Sequence, residues 1–225
     1  MPPKKNYTAM TSALLTPREF DAHITEKTLR LSFVGMSNCG KSYRSRILQN
    51  ENDFFWYQVD GDIQKTLGLH GQEAMSLWLG SPSSEHFSER EKRYLELENK
   101  FTEGAAMSSH GKNLVFDTTG SVVHLVPATH AALRENTLVV HLDVGEDSIE
   151  EMLRRFFKDP KPVAWSGFFT QRPDESESDA IRRSYPALLH ERLKRYRALA
   201  HLNISAREVR DATGAETLAI IRNKL

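Results

Sequence analysis

Residues Gly35-Met36-Ser37-Asn38-Cys39-Gly40-Lys41-Ser42 read G-x-x-x-x-G-K-S, and they follow the apolar run Leu31-Ser32-Phe33-Val34. That spacing builds an anion cradle. Gly35 and Gly40 let the backbone turn so that its N–H groups point at phosphate oxygens. Lys41 is placed to reach the β- and γ-phosphates of a nucleoside triphosphate, and the Ser42 hydroxyl to ligate Mg²⁺. A helix starting near Lys41 would add the positive end of its dipole. The run Gly35 to Tyr43 is therefore assigned to nucleotide binding.

Two acidic sites end further apolar runs: Val59-Asp60-Gly61-Asp62 and Phe116-Asp117. Mg²⁺ on a nucleotide takes a few carboxylates besides phosphate oxygens, so Ser42, Asp60 and Asp117 form the expected metal set. Asp62 is the candidate to accept a hydrogen bond from a substrate hydroxyl and take its proton. The competing reading of Asp60-Gly61-Asp62 is a turn that caps the next helix. Thr118-Thr119-Gly120-Ser121 is a small polar loop over which a substrate could approach the backbone.

These residues need a scaffold that brings strand ends together. Four apolar runs, Leu31 to Val34, Phe54 to Val59, Asn113 to Phe116 and Thr137 to Leu142, read as buried parallel strands. A fifth candidate lies near Leu202 to Val209. Helix-length segments at Lys41 to Leu48, Glu85 to Phe101, Pro127 to Leu133 and Asp147 to Phe157 alternate with them. This alternation predicts an α/β fold with a parallel sheet covered on both faces. Ligands of such sheets sit beyond the carboxyl ends of the strands, where both acidic sites fall. Residues 1–28 read as an N-terminal arm, partly disordered, with a short helix near Pro17 capped by Thr16. Residues 29–225 form the main domain. The irregular stretch from Lys158 to Asp179 is the expected lid. Trp56 and Tyr57 are expected in the core, and Trp78 on an amphipathic helix.

The whole-chain numbers bound the function class. The chain has 225 residues, with 30 Lys+Arg against 30 Asp+Glu. Zero net charge argues against a nucleic-acid partner held by a general basic field. No apolar run approaches the ~20 residues that span a bilayer. A single cysteine fits a reducing compartment, and no signal-peptide pattern opens the chain, so a cytoplasmic location is expected. Cys39 lies beside a helix N-terminus, where it is either a redox-sensitive thiol or a small filler. The nine histidines show no zinc-like spacing, so no structural metal is expected. The oligomeric state is open, with a monomer as the working expectation.

The phosphate loop, the D-x-D after the second strand and the T-x-G-S loop after the third together resemble the shikimate kinases. The resemblance covers roughly residues 30–225. It implies a three-layer α/β/α fold with a five-stranded parallel sheet and a mobile lid. It also implies ATP as donor, Mg²⁺ as cofactor and a small polyhydroxylated acceptor. Lys41 matches the family's phosphate lysine and Ser42 its Mg²⁺-binding residue. Asp60 matches a carboxylate near the metal, and Asp62 the aspartate that contacts the acceptor. Arg192 and Tyr196 fit R-x-x-x-Y, whose arginine grips the acceptor's carboxylate. Lys161-Pro162-Val163 is similar to the lid motif, with lysine in place of arginine. Arg154 matches the arginine that stacks on adenine, and Arg155 would replace it after a one-residue shift.

Three departures concern the acceptor. Thr119-Gly120-Ser121 stands where the family has consecutive glycines. Ser88 replaces a second carboxylate-binding arginine, with Arg90 or Arg93 as substitutes from a neighbouring turn. The lid carries Trp165, Phe168 and Phe169. The resulting expectation is an ATP-dependent kinase acting on a small hydroxylated molecule, with Lys41, Asp62 and Lys161 as catalytic residues and Thr119, Gly120, Ser121 and Arg192 lining the acceptor site. The rival classes are a nucleotide-binding regulatory protein of the same fold and a nucleotide or nucleoside kinase. A GTPase lacks support because no N-K-x-D occurs.

Overall fold

The computed structural model describes residues 14–108, 111–159 and 161–225. Helix α1 (Pro17–Thr25) leads into β1 (Arg30–Val34) and α2 (Lys41–Asn52). Then come β2 (Phe55–Gln58), α3 (Val59–Leu67), α4 (Gly71–Leu79) and α5 (Phe87–Met107). Next are β3 (Leu114–Asp117), α6 (Pro127–Asn136), β4 (Leu138–Asp143) and α7 (Ile149–Lys158). The chain ends with α8 (Glu177–Leu199), β5 (Leu202–Ser205) and α9 (Gly214–Arg222).

The five strands form one parallel sheet in the order β2-β3-β1-β4-β5. The central strands are apolar on both faces: Leu31, Phe33, Val34, Val115, Phe116, Val139 and Val140 are all buried. Such strands need helices on both sides. Helix α2 lies against β2 and β3 and packs on α9, α5 packs on α3 and α6, and α8 lies against β4 and packs on α7. The α/β/α architecture and five-stranded parallel sheet are those expected. Strand β2 is an edge, so Trp56 and Tyr57 are only half-buried. In α4, Leu79 is buried and Leu77 exposed, with Trp78 against the core. Among the described residues no helix is long and apolar enough to cross a membrane.

The expected arm is structured where it is described. Residues 1–13 lie outside the described residues. The Thr16 and Glu19 pair forms a capping box on α1, with Pro17 in the first turn. Phe20 is 1% exposed, and Arg222 of α9 donates to both Asp21 carboxylate oxygens. This helix is part of the packed domain.

Around Trp165, the segment expected as a lid packs against α5, α7 and α8. Trp165 is 2% exposed, with its ring against Phe156, Phe169 and Tyr185. The backbone N–H groups of Trp165 and Ser166 both donate to Glu91 Oε1, the latter at 2.9 Å. Prolines and serines give this stretch a loop composition, and its aromatic residues anchor it.

Candidate active site

The phosphate loop joins β1 to α2. Gly35 adopts φ +146° and Gly40 φ +103°, conformations that suit glycine. A Cβ on Gly35 would meet Cys39 Sγ and the Leu142 carbonyl oxygen, each at 2.9 Å. Helix α2 starts at Lys41 with no side-chain cap and no acidic residue in its first turn. Its N–H groups are oriented to receive an anion. Lys41 Nζ donates to the carbonyls of Gly35 (2.9 Å) and Met36 (3.0 Å), folded along the loop. Cys39 is buried, and that burial pushes its thiol up despite nearby Lys41. The filler reading of Cys39 therefore fits better than a reactive thiolate.

A cleft of about 260 Å³ opens beside this loop. Ser37, Asn38, Lys41 and Ser42 form one side, and Thr118, Thr119, Gly120 and Ser121 the floor. Asp60, Gln72 and Tyr94 make a wall, and Lys161, Pro162, Ala164 and Arg192 the rim. A Cβ on Gly120 would lie 3.1 Å from Ser37 Oγ, so its absence lets the floor approach the phosphate loop. Arg192 and Tyr196 sit one turn apart on α8 and both reach this loop. Tyr196 donates to the Gly120 carbonyl, and Arg192 Nη1 lies 3.5 Å from where that Cβ would be.

Three carboxyls converge under the cleft. Burial pushes Asp60 up, reinforced by Asp117 and opposed by Lys41, with Tyr94 Oη donating to its Oδ1 at 3.3 Å. Burial also pushes Asp117 up, against Lys41 and a hydrogen bond from Ser42. Its buried Oδ1 has no hydrogen-bond partner. Glu98 lies behind the floor, pushed to about 7 by burial. Burial lowers His124 to about 3, aided by Arg192 and Arg195, so His124 is neutral and accepts from Arg192 Nε at 3.2 Å.

Across the phosphate loop a second cleft, of about 150 Å³, shares Ser37, Asn38 and Lys161 with the first. Met152, Arg155, Phe156, Tyr185 and Arg210 contribute to its lining. It combines apolar surface with cationic groups, a chemistry suited to a base and ribose.

No family model and no curated protein sequence matches the chain. Solved structures do. Shikimate kinase from Acinetobacter baumannii in complex with shikimate superposes with a TM-score of 0.58 at 21% identity, covering 92% of this chain and 99% of that one. Shikimate kinase from Bacteroides thetaiotaomicron gives 0.57 at 18% identity, covering 87% and 97%. The enzyme from Aquifex aeolicus gives 0.51 at 17%, covering 87% and 95%. The chain has a shikimate-kinase-like P-loop kinase fold. At these identities the likeness is one of fold.

On this shikimate-kinase-like fold, most residues expected at the site line the clefts. Gly35, Met36, Cys39 and Gly40 shape the phosphate loop without lining either cleft, and Asp62, Tyr43 and Arg154 lie away from both. Asp62 is absent from the lining and accepts from Tyr57 Oη at 2.5 Å. Helix α3 already begins at Val59, so positions 60 and 62 are ~200° apart around it and only Asp60 faces the cleft. Tyr43 is 55% exposed and lines neither cleft, with the Arg44 guanidinium over its ring. Arg154 points outward to Glu151, whereas Arg155 lines the second cleft. Neither substitute for the second arginine reaches the acceptor side. Arg90 donates to the Trp78 carbonyl at 2.7 Å, and Arg93 pairs with Glu96 at 3.4 Å. Tyr94, Gln72 and Glu98 are additions that no motif announced.

Proposed function

We propose that this chain is an ATP-dependent phosphotransferase that moves the γ-phosphate to a hydroxyl of a small molecule. The observation that carries the reading is the continuity of the two clefts through Ser37, Asn38 and Lys161. A triphosphate lying on the loop would have its base side in one cleft and its terminal phosphate facing the other. The second cleft with Arg155 takes the adenosine, and the larger one takes the acceptor.

The residues present fit Mg²⁺. Ser42 and Asp117 would hold it, and the unpartnered Asp117 Oδ1 supplies a free lone pair of the hard oxygen type that cation prefers. When bound, Mg²⁺ neutralises charge on the transferring phosphate. Lys41 exchanges its two loop carbonyls for phosphate oxygens. Lys161, which pairs with Asp159 at 2.7 Å, brings positive charge from the rim. Asp60 replaces Asp62 as the carboxylate that orients the acceptor hydroxyl and takes its proton, a role that its raised pKa suits. Catalysis then rests on positioning and charge neutralisation.

The test is acceptor-dependent ADP release with ATP·Mg²⁺ and a panel of sugars, polyols, hydroxylated acids and nucleosides. Stimulation by one class, lost at least ~10³-fold in Lys41→Ala, is the expected result. Tight ATP binding with no stimulation by any acceptor would refute transfer and point to a nucleotide-dependent regulatory protein.

A further inference from the structure

Building on the phosphotransferase reading, we propose that Glu98 sets the hydrogen-bond polarity of the acceptor cleft and thereby selects a neutral polyol over a carboxylate- or phosphate-bearing molecule. Glu98 projects from α5, is 0% exposed and does not line the cleft. It acts through the two hydroxyls that do. Ser121 Oγ donates to Glu98 Oε2 at 2.6 Å, and Thr119 Oγ1 donates to Oε1. An ionised carboxylate only accepts, and each hydroxyl has one proton. Both protons therefore point down, away from the cleft. Thr119 Oγ1 also accepts the Ser121 N–H at 3.1 Å, which fixes the pair. The floor presents lone pairs upward.

The adjoining wall is mostly of the same polarity, with the Gln72 amide as its one donor. Tyr94 commits its proton to Asp60, and the Asp60 and Asp117 carboxylates are themselves acceptors. The cations on the opposite side are partly engaged. Arg192 Nη2 donates to the Ala164 carbonyl at 2.6 Å and its Nε to His124, while Lys161 is ion-paired with Asp159. A carboxylate placed on the Thr119 and Ser121 hydroxyls would meet the like charge of Asp60 and Asp117 in a low-dielectric site and find no proton from those hydroxyls to accept. A polyol supplies the protons that this surface lacks, and its hydroxyls satisfy groups that are costly to leave unpaired. Glu98 is thus a positioning residue for specificity.

The test measures binding directly, by titration calorimetry at about pH 8, with paired ligands: D-glucose against D-glucuronate, and D-sorbitol against D-gluconate. The wild-type protein is expected to bind at least one neutral member ~10-fold or more tightly than its acid. Glu98→Gln should bring that ratio close to one, because an amide N–H donates to one hydroxyl and turns that hydroxyl's proton into the cleft. Its affinity for ATP·Mg²⁺ should change less than about twofold. Ser121→Ala, which removes one lone-pair donor outright, should also lower the ratio and covers the case in which the glutamine variant misfolds. A wild-type protein that binds no neutral member more tightly, or a ratio unchanged in these variants, overturns the proposal. Polyol preference without acceptor-dependent ADP release would leave this inference standing and remove only phosphoryl transfer. Preferred turnover of an acidic acceptor would do the reverse.

Discussion

Replacing Glu98 by glutamine should also change how stability depends on pH. Burial holds this carboxyl at about 7 against an ordinary 4.5, with Asp60 pushing the same way and Ser121, Thr119 and Arg192 opposing. Between those two values the folded chain binds more protons than the unfolded chain. Wild-type stability attributable to Glu98 therefore falls as pH rises from about 4.5 to about 7, then levels off. A shift from 4.5 to about 7 corresponds to ~3 kcal/mol. Glutamine does not titrate. The stability of Glu98→Gln minus that of wild type should therefore grow by ~3 kcal/mol between about pH 4.5 and pH 8. For a chain of this size that is a relative change in Tm of roughly 6–12 °C. The charged and titratable groups facing Glu98 are Asp60 from α3, Tyr94 from α5 and Arg192 from α8. Both proteins carry all three, so their own titrations largely cancel in the difference. Urea unfolding of both proteins at several pH values measures the gap. A gap that stays constant within about 0.5 kcal/mol would show that Glu98 keeps one protonation state throughout and refute the reasoning.

Asp60→Asn should lower kcat/KM for the acceptor by ~10²–10⁴, while Asp62→Asn should leave it within about twofold. The opposite order in steady-state kinetics would restore Asp62 to the site. Gly35→Ala puts a methyl 2.9 Å from Cys39 Sγ and from the Leu142 carbonyl at φ +146°. It should cost at least ~2 kcal/mol, and an unshifted denaturation midpoint would refute that contact. Arg155→Ala should raise the KM for ATP about tenfold and Arg154→Ala hardly at all, since only Arg155 borders the second cleft. Equal effects in nucleotide-dependence assays would count against that cleft as the base site.

The sheet and phosphate loop were legible because their signals are local. A buried strand, two glycines and a lysine at fixed spacing occupy one short run, and the backbone there has few alternatives. The acidic residues after β2 differ in where helix phase sends them. A D-x-D reads the same in a loop and in a helix, but a helix started at Val59 sends the two carboxylates to opposite sides. Tyr94 and Glu98 carry no motif, since they join the cleft from a helix face. Their one available signal was their spacing, four residues apart on a helix whose Leu97 and Ala105 are also buried. Around Trp165 the prolines and serines signal a loop, whereas the segment's placement depends on aromatic partners on α7 and α8.

Arg192 has five N–H groups; the Ala164 carbonyl holds one of the two on Nη2, and His124 the one on Nε. A ligand anion that claimed the N–H held by Ala164 would detach residue 164 from α8. Nη1 carries two more and faces Gly120, so this guanidinium can meet a ligand at Nη1 while Nη2 keeps the rim fastened. One side chain of α8 thereby links the floor of the cleft to its rim.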